Sequence, residues 1–134
     1  MPRPAKSRII EAAMAVRRRA SAPHSGFAVG AALVTRGGRI FTGANVESAS
    51  YGLTCCAERV ALFKAISEGA RNFTMIAVVA RMDGGAMPCG ACRQLLAEYA
   101  PDAIVLVADS RRPKAMREFS VAELLPGAFT TCGD

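Results

Sequence analysis

Residues 73–81 read Phe73-Thr-Met-Ile-Ala-Val-Val-Ala-Arg81, a nearly continuous apolar run bounded by polar residues. A strand covered on both faces has this pattern, because neither set of alternating side chains meets water. Ala103–Ala108 (AIVLVA) repeats it. Between the two lie a loop containing Asp83-Gly84-Gly85 and Pro88, then a helical stretch over Cys89–Ala100. Upstream, Cys56–Glu68 predicts a helix carrying Val60, Leu62, Phe63 and Ile66 and ended by Gly69. Phe27–Thr35 and Arg39–Asn45, separated across Gly37-Gly38, predict a hairpin, followed by a loop over Val46–Thr54. Pro4–Ala20 predicts an amphipathic helix stopped at Ser21-Ala22-Pro23, and Val121–Leu125 a short closing helix. The order helix, hairpin, helix, strand, helix, strand implies an α/β sandwich: one mixed sheet, an antiparallel pair at one side, helices on both faces.

The 134 residues suit one domain over 1–134, with no internal repeat or linker. Hydrophobic residues at 51% and charged residues at 21% indicate a globular chain. No apolar run reaches the roughly 20 residues needed to span a bilayer. Met1–Arg8 carries charge but no signal-peptide pattern, so a cytoplasmic protein without membrane attachment is expected. The net charge of +6 raises the question of nucleic acid. However, Arg17-Arg18-Arg19 ends the first helix, where cations suit the dipole, and Arg111, Arg112 and Lys114 lie in a polar stretch. A solvated surface explains both, and no nucleic-acid partner is expected.

Five cysteines without a secretory signal argue against a disulfide framework. Cys89-Gly-Ala-Cys92 follows Pro88 at a helix start, and sulfurs three residues apart can reach one ion. Alone, this spacing equally suits a redox pair or half of a zinc knuckle. The single histidine, His24, is remote in sequence, and no second Cys-x-x-Cys exists. The available third ligand is Cys56 of Cys56-Ala57-Glu58, with Cys55 as a competitor. Three protein ligands leave one tetrahedral position for water, the arrangement of catalytic zinc. Helix N-termini favour thiolates, and Glu58 is placed to carry a proton. Taken singly, the cysteines read as small buried hydrophobes and Glu58 as an exposed first-turn residue. Both motifs together, each at a helix start, point to a metal site.

Cys-x-Glu followed by Pro-Cys-x-x-Cys is similar to the signature of the zinc-dependent nucleobase deaminases. The stretches FAVGAALV, NVESASYGLTCCAER, FKAISEG, PCGACRQ and LLPGAF resemble the small homotetrameric cytidine deaminases of free nucleosides, over Phe27–Phe129. The resemblance implies a three-layer α/β/α sandwich with one mixed five-stranded sheet and one zinc per chain. It implies hydrolysis of cytidine and deoxycytidine to uridine and deoxyuridine, releasing ammonia, within pyrimidine salvage. In that chemistry zinc-bound hydroxide attacks C4 while Glu58 protonates N3 and then helps the amine leave. The resemblance puts Phe27 against the base, Asn45 and Glu47 on the ribose 3′-hydroxyl, and the Ala57 main chain on the pyrimidine edge. The resemblance also implies that Tyr51 and Phe129 reach into a neighbouring subunit's site. Arg59, and after it Arg93, would offset the charge of three thiolates.

The chain has Pro23-His24-Ser25 where family members commonly carry Pro-Tyr-Ser, and Cys55 is an extra thiol. Three competing readings are weaker. A deaminase of blasticidin-type nucleoside antibiotics shares the zinc core but lacks a carboxylate matching Glu47. A polynucleotide-editing deaminase has His in place of Cys56 and additional nucleic-acid-binding segments. A zinc-stabilised module without turnover has no use for Glu58.

Overall fold

The computed structural model describes residues 4–130. Its elements are α1 (Lys6–Arg17), β1 (Val29–Thr35), β2 (Ile40–Ala44), a 3₁₀ turn (Tyr51–Leu53), α2 (Ala57–Ser67), β3 (Phe73–Ala80), α3 (Gly90–Tyr99), β4 (Ile104–Asp109), β5 (Arg117–Ser120) and α4 (Val121–Leu124). The sheet order is β2-β1-β3-β4-β5. β3 and β4 run parallel, joined through α3, and the other neighbouring pairs are antiparallel.

Alternation along the strands explains the continuous apolar runs. Ala31, Leu33, Ile76, Val105 and Val107 face one cluster, shared with α2, α3 and α4. Ala32, Val34, Met75, Ala77, Val79, Leu106 and Ala108 face the other, where α1 contributes Ile9, Ile10 and Ala13. β1, β3 and β4 therefore bury both of their faces, and the three layers follow. Gly43 lets α2 lie close on the edge strand. A Cβ there would stand 2.5 Å from the Ala61 nitrogen and 2.7 Å from the Ala57 oxygen.

The mixed sheet and flanking helices expected from the sequence are present. Several details differ. α1 is shorter than Pro4–Ala20, and β1 begins at Val29 rather than Phe27, because Asn45 brackets the main chain from Phe27 to Val29. β5 was supplied only by the resemblance. Its residues are largely exposed and carry no apolar period.

Candidate active site

Cys56 and Cys89 are the N-caps of α2 and α3, and neither uses its side chain as a cap. Their sulfurs turn toward each other instead, 3.7 Å apart, and Cys89 stands 3.5 Å from Cys92. All three sulfurs lie within 4.8 Å of one another, a cluster that excludes Cys55 and His24. Sulfurs about 2.3 Å from one zinc at tetrahedral angles stand about 3.8 Å apart. The donor set therefore fits zinc in both spacing and softness. The start of α2 is fixed by pairing of Val46 with Cys55, whose main-chain groups exchange bonds of 3.0 and 2.8 Å.

Two helix N-termini converge on these sulfurs, which favours negative charge there. Cys56 is held down to about 5, chiefly by hydrogen bonding from Cys92, with Arg59 and Cys89 adding. Cys92 is pushed up, first by donating to Cys56 and then by burial. Burial also raises the extra thiol, Cys55. Arg59 donates from Nη2 to Cys56 Sγ at 3.5 Å and to the Thr54 carbonyl at 3.0 Å. Its buried Nε has no partner among the described residues.

Glu58, in the first turn of α2, is 5% exposed rather than a solvated surface residue. Burial lifts its carboxyl to about 7. A carboxyl held there exchanges a proton readily near neutral pH.

The cavity beside the sulfurs has a volume of about 210 Å³, lined by Phe27, Asn45, Cys56, Ala57, Glu58 and Cys89, with Val29, Thr54, Val78, Ala86 and Met87. An outer cavity of about 320 Å³ adjoins it through Thr54 and is lined by His24, Ser25, Glu47, Ser48 and Tyr51. Five of the residues expected around the substrate thus fall in two neighbouring cavities, while Phe129 stands outside both, 70% exposed.

Asn45 accepts from the Val29 amide at 2.9 Å and donates to the Phe27 carbonyl at 2.8 Å. Glu47 accepts from the His24 and Ser25 amides at 2.9 and 3.1 Å and from the Ser25 hydroxyl. The Ser25 bonds hold its carboxyl below the ordinary carboxylate value. Both side chains therefore shape the loop that carries Phe27.

Arg93 makes no hydrogen bond to a sulfur among the described residues. Its guanidinium donates to the Pro88 and Leu124 carbonyls. Ser25, Thr54 and Met87 were not singled out from the sequence. Thr54 carries one local signal, its position just before Cys55-Cys56.

Residues 4–108 match the family model for the cytidine and deoxycytidylate deaminase zinc-binding region. A cytidine deaminase of Halalkalibacterium halodurans is 51% identical over 91% of this chain and 92% of its own length. The crystal structure of cytidine deaminase from Burkholderia pseudomallei is 50% identical, with a TM-score of 0.87 over 91% of this chain and 97% of that one. Blasticidin-S deaminase of Bacillus cereus is 34% identical over 76% of each chain. With the three-thiol cluster and buried carboxyl in the matched segment, this chain belongs to the cytidine and deoxycytidylate deaminase family of zinc-binding proteins.

Proposed function

We propose that this chain hydrolyses free cytidine and deoxycytidine to uridine and deoxyuridine, releasing ammonia. The observation that carries this reading is the buried carboxyl of Glu58 in the same small cavity as Cys56 and Cys89 of the three-cysteine cluster, with Phe27 in its wall. A purely structural metal site needs neither a cavity nor a proton carrier.

Cys56, Cys89 and Cys92 hold zinc, one per chain. When bound, zinc lowers the pKa of a water to about 7 and so supplies the nucleophile. Glu58 takes the attacking water's proton and delivers it to N3 of the pyrimidine, then takes the proton of the new C4 hydroxyl and delivers it to the amine, which leaves as ammonia while the C4 carbonyl forms. Phe27 offers its face to the ring, and the Ala57 main chain meets the polar edge of the base. Asn45 and Glu47 stand on the sugar side, where a carboxylate accepts from the 3′-hydroxyl. Arg59 sets a cation against the Cys56 sulfur and offsets the charge of the thiolates.

Tyr51, Leu53 and Phe129 are 78%, 75% and 70% exposed, an amount of bare apolar surface that favours burial against other subunits. The active unit is a homotetramer in which Tyr51 and Phe129 complete a neighbour's site. Free nucleosides as substrates place the enzyme in cytoplasmic pyrimidine salvage, with no nucleic acid or membrane as partner.

Loss of cytidine absorbance in the ultraviolet, with and without a chelator, tests the reaction. Chelator-sensitive loss is expected. Turnover of single-stranded DNA or a blasticidin-type nucleoside without turnover of cytidine would overturn the reading.

A further inference from the structure

Arg93 directly follows a ligand in sequence yet is drawn to main-chain oxygen. Its Nε donates to the Pro88 carbonyl at 2.7 Å and its Nη1 to the Leu124 carbonyl at 3.0 Å. Gln94 donates from Nε2 to the Phe129 carbonyl at 3.0 Å. Pro88 immediately precedes Cys89, and Leu124 ends α4. Consecutive side chains in α3 therefore hold the ligand loop and the carboxy-terminal segment at once.

Both ends of this arrangement need an outside donor or anchor. Cys89 caps α3 without a side-chain cap bond, so the usual device for fixing a helix entry is missing. α4 spans four residues; its Val121 carbonyl accepts from the Leu125 amide at 3.1 Å, while Leu124, its last residue, lies past the reach of any later helical amide. The guanidinium is a rigid planar fork, and two separated donors on it reach two carbonyls that a lysine's single ammonium would not bridge.

We propose that Arg93 and Gln94 form a latch between the metal-ligand loop and the segment bearing Phe129, with Arg93 a positioning residue that acts through geometry rather than charge. The latch sets where Cys89 stands relative to Cys56 and where the Phe129 ring is presented. It rests on Cys56, Cys89 and Cys92 being the zinc ligands. It makes the carboxy-terminal segment and the metal loop mechanically dependent on one another, although Phe129 lines neither cavity.

The test compares Arg93→Lys, Arg93→Gln and Gln94→Ala with the parent, all as zinc-loaded full chains. The readouts are zinc release to a coloured chelator, hydrogen exchange across residues 121–130, and the division of any activity loss between KM and kcat. Groups that orient metal ligands typically matter about 10-fold or more, so both Arg93 variants should release zinc at least about 10-fold faster. Exchange over 121–130 should rise by roughly fivefold to tenfold in both, the worth of one or two lost hydrogen bonds. Gln94→Ala should raise KM and speed exchange near Phe129 while releasing zinc at the parent rate. Parent-like behaviour of Arg93→Lys beside a defective Arg93→Gln would show that charge alone matters and overturn the latch. Unchanged exchange over 121–130 in all three variants would do the same. A parent that takes up no zinc overturns the ligand assignment, and the exchange measurement then decides the latch by itself.

Discussion

At the scale of single residues, two buried carboxylates behave oppositely for reasons that lie in their neighbours. Glu58 is pushed up by burial, while Asp109, 4% exposed, is held below the ordinary carboxylate value by Arg111. Arg111 meets both carboxyl oxygens of Asp109, at 3.1 and 2.9 Å, and its amide adds a third bond at 3.0 Å. Glu58→Gln should keep the fold and the zinc, because the carboxyl is not a ligand. Its turnover should drop by about 10² to 10⁴-fold or more, the range of a lost general acid–base group. Zinc analysis beside steady-state kinetics checks it, and near-parental kcat would remove Glu58 from its role. For Asp109 the sign follows from linkage. A folded-state value below the unfolded value of about 3.9 adds stability above that value. That contribution is lost as pH falls from about 5 through 4 toward the folded value. Asp109→Asn should therefore be less stable than the parent at pH 7, with the difference shrinking at pH 3. Urea midpoints at the two pH values decide it, and a constant difference would show that charge is not the cause.

At the scale of elements, legibility tracked the range of the forces involved. β3 and β4 were readable because burial on both faces leaves a continuous apolar run. The three-sulfur cluster was readable because two short spacings, at two helix starts, bring the thiols together. β5 left no trace, since Arg117–Ser120 sits at the sheet edge with only Phe119 partly covered. The Leu124 partner of Arg93 and the partners of Glu47 are equally invisible, lying 31 and 22 to 23 residues away. Gly43 shows how an edge strand sets the site. Its missing side chain lets the first turns of α2, and with them Cys56 and Glu58, settle onto the sheet. Gly43→Ala should force α2 outward at a cost of about 1–3 kcal/mol, lowering Tm by roughly 3–10 °C. It should also weaken zinc retention, because Cys56 moves with its helix while Cys89 and Cys92 stay on α3. A variant with parental Tm and zinc content would show that the contact relaxes without moving the site.

At the scale of the whole molecule, charge and apolar surface are distributed differently. Part of the positive charge is answered locally: Arg111 pairs with Asp83 and Asp109, Arg39 with Glu68 and Lys6 with Glu118. The exposed aromatics have no such answer. Tyr51 lines the outer cavity but is 78% exposed, and Phe129 lines neither of the two cavities of the site. If Phe129 completes a neighbouring pocket, two differently damaged chains should repair one another. Glu58→Gln leaves a dead pocket but an intact Phe129 to lend, whereas Phe129→Ala keeps Glu58 and lacks the ring. Mixed assemblies contain pockets with Glu58 from one chain and Phe129 from the other. Unfolding and refolding the two variants together should therefore give activity well above the sum of the two refolded separately. The same mixture should elute at the size of a tetramer. Activity merely equal to that sum, from a correctly sized tetramer, would show that each chain builds its pocket alone. Full parental activity eluting as a monomer would remove the shared-site assembly altogether.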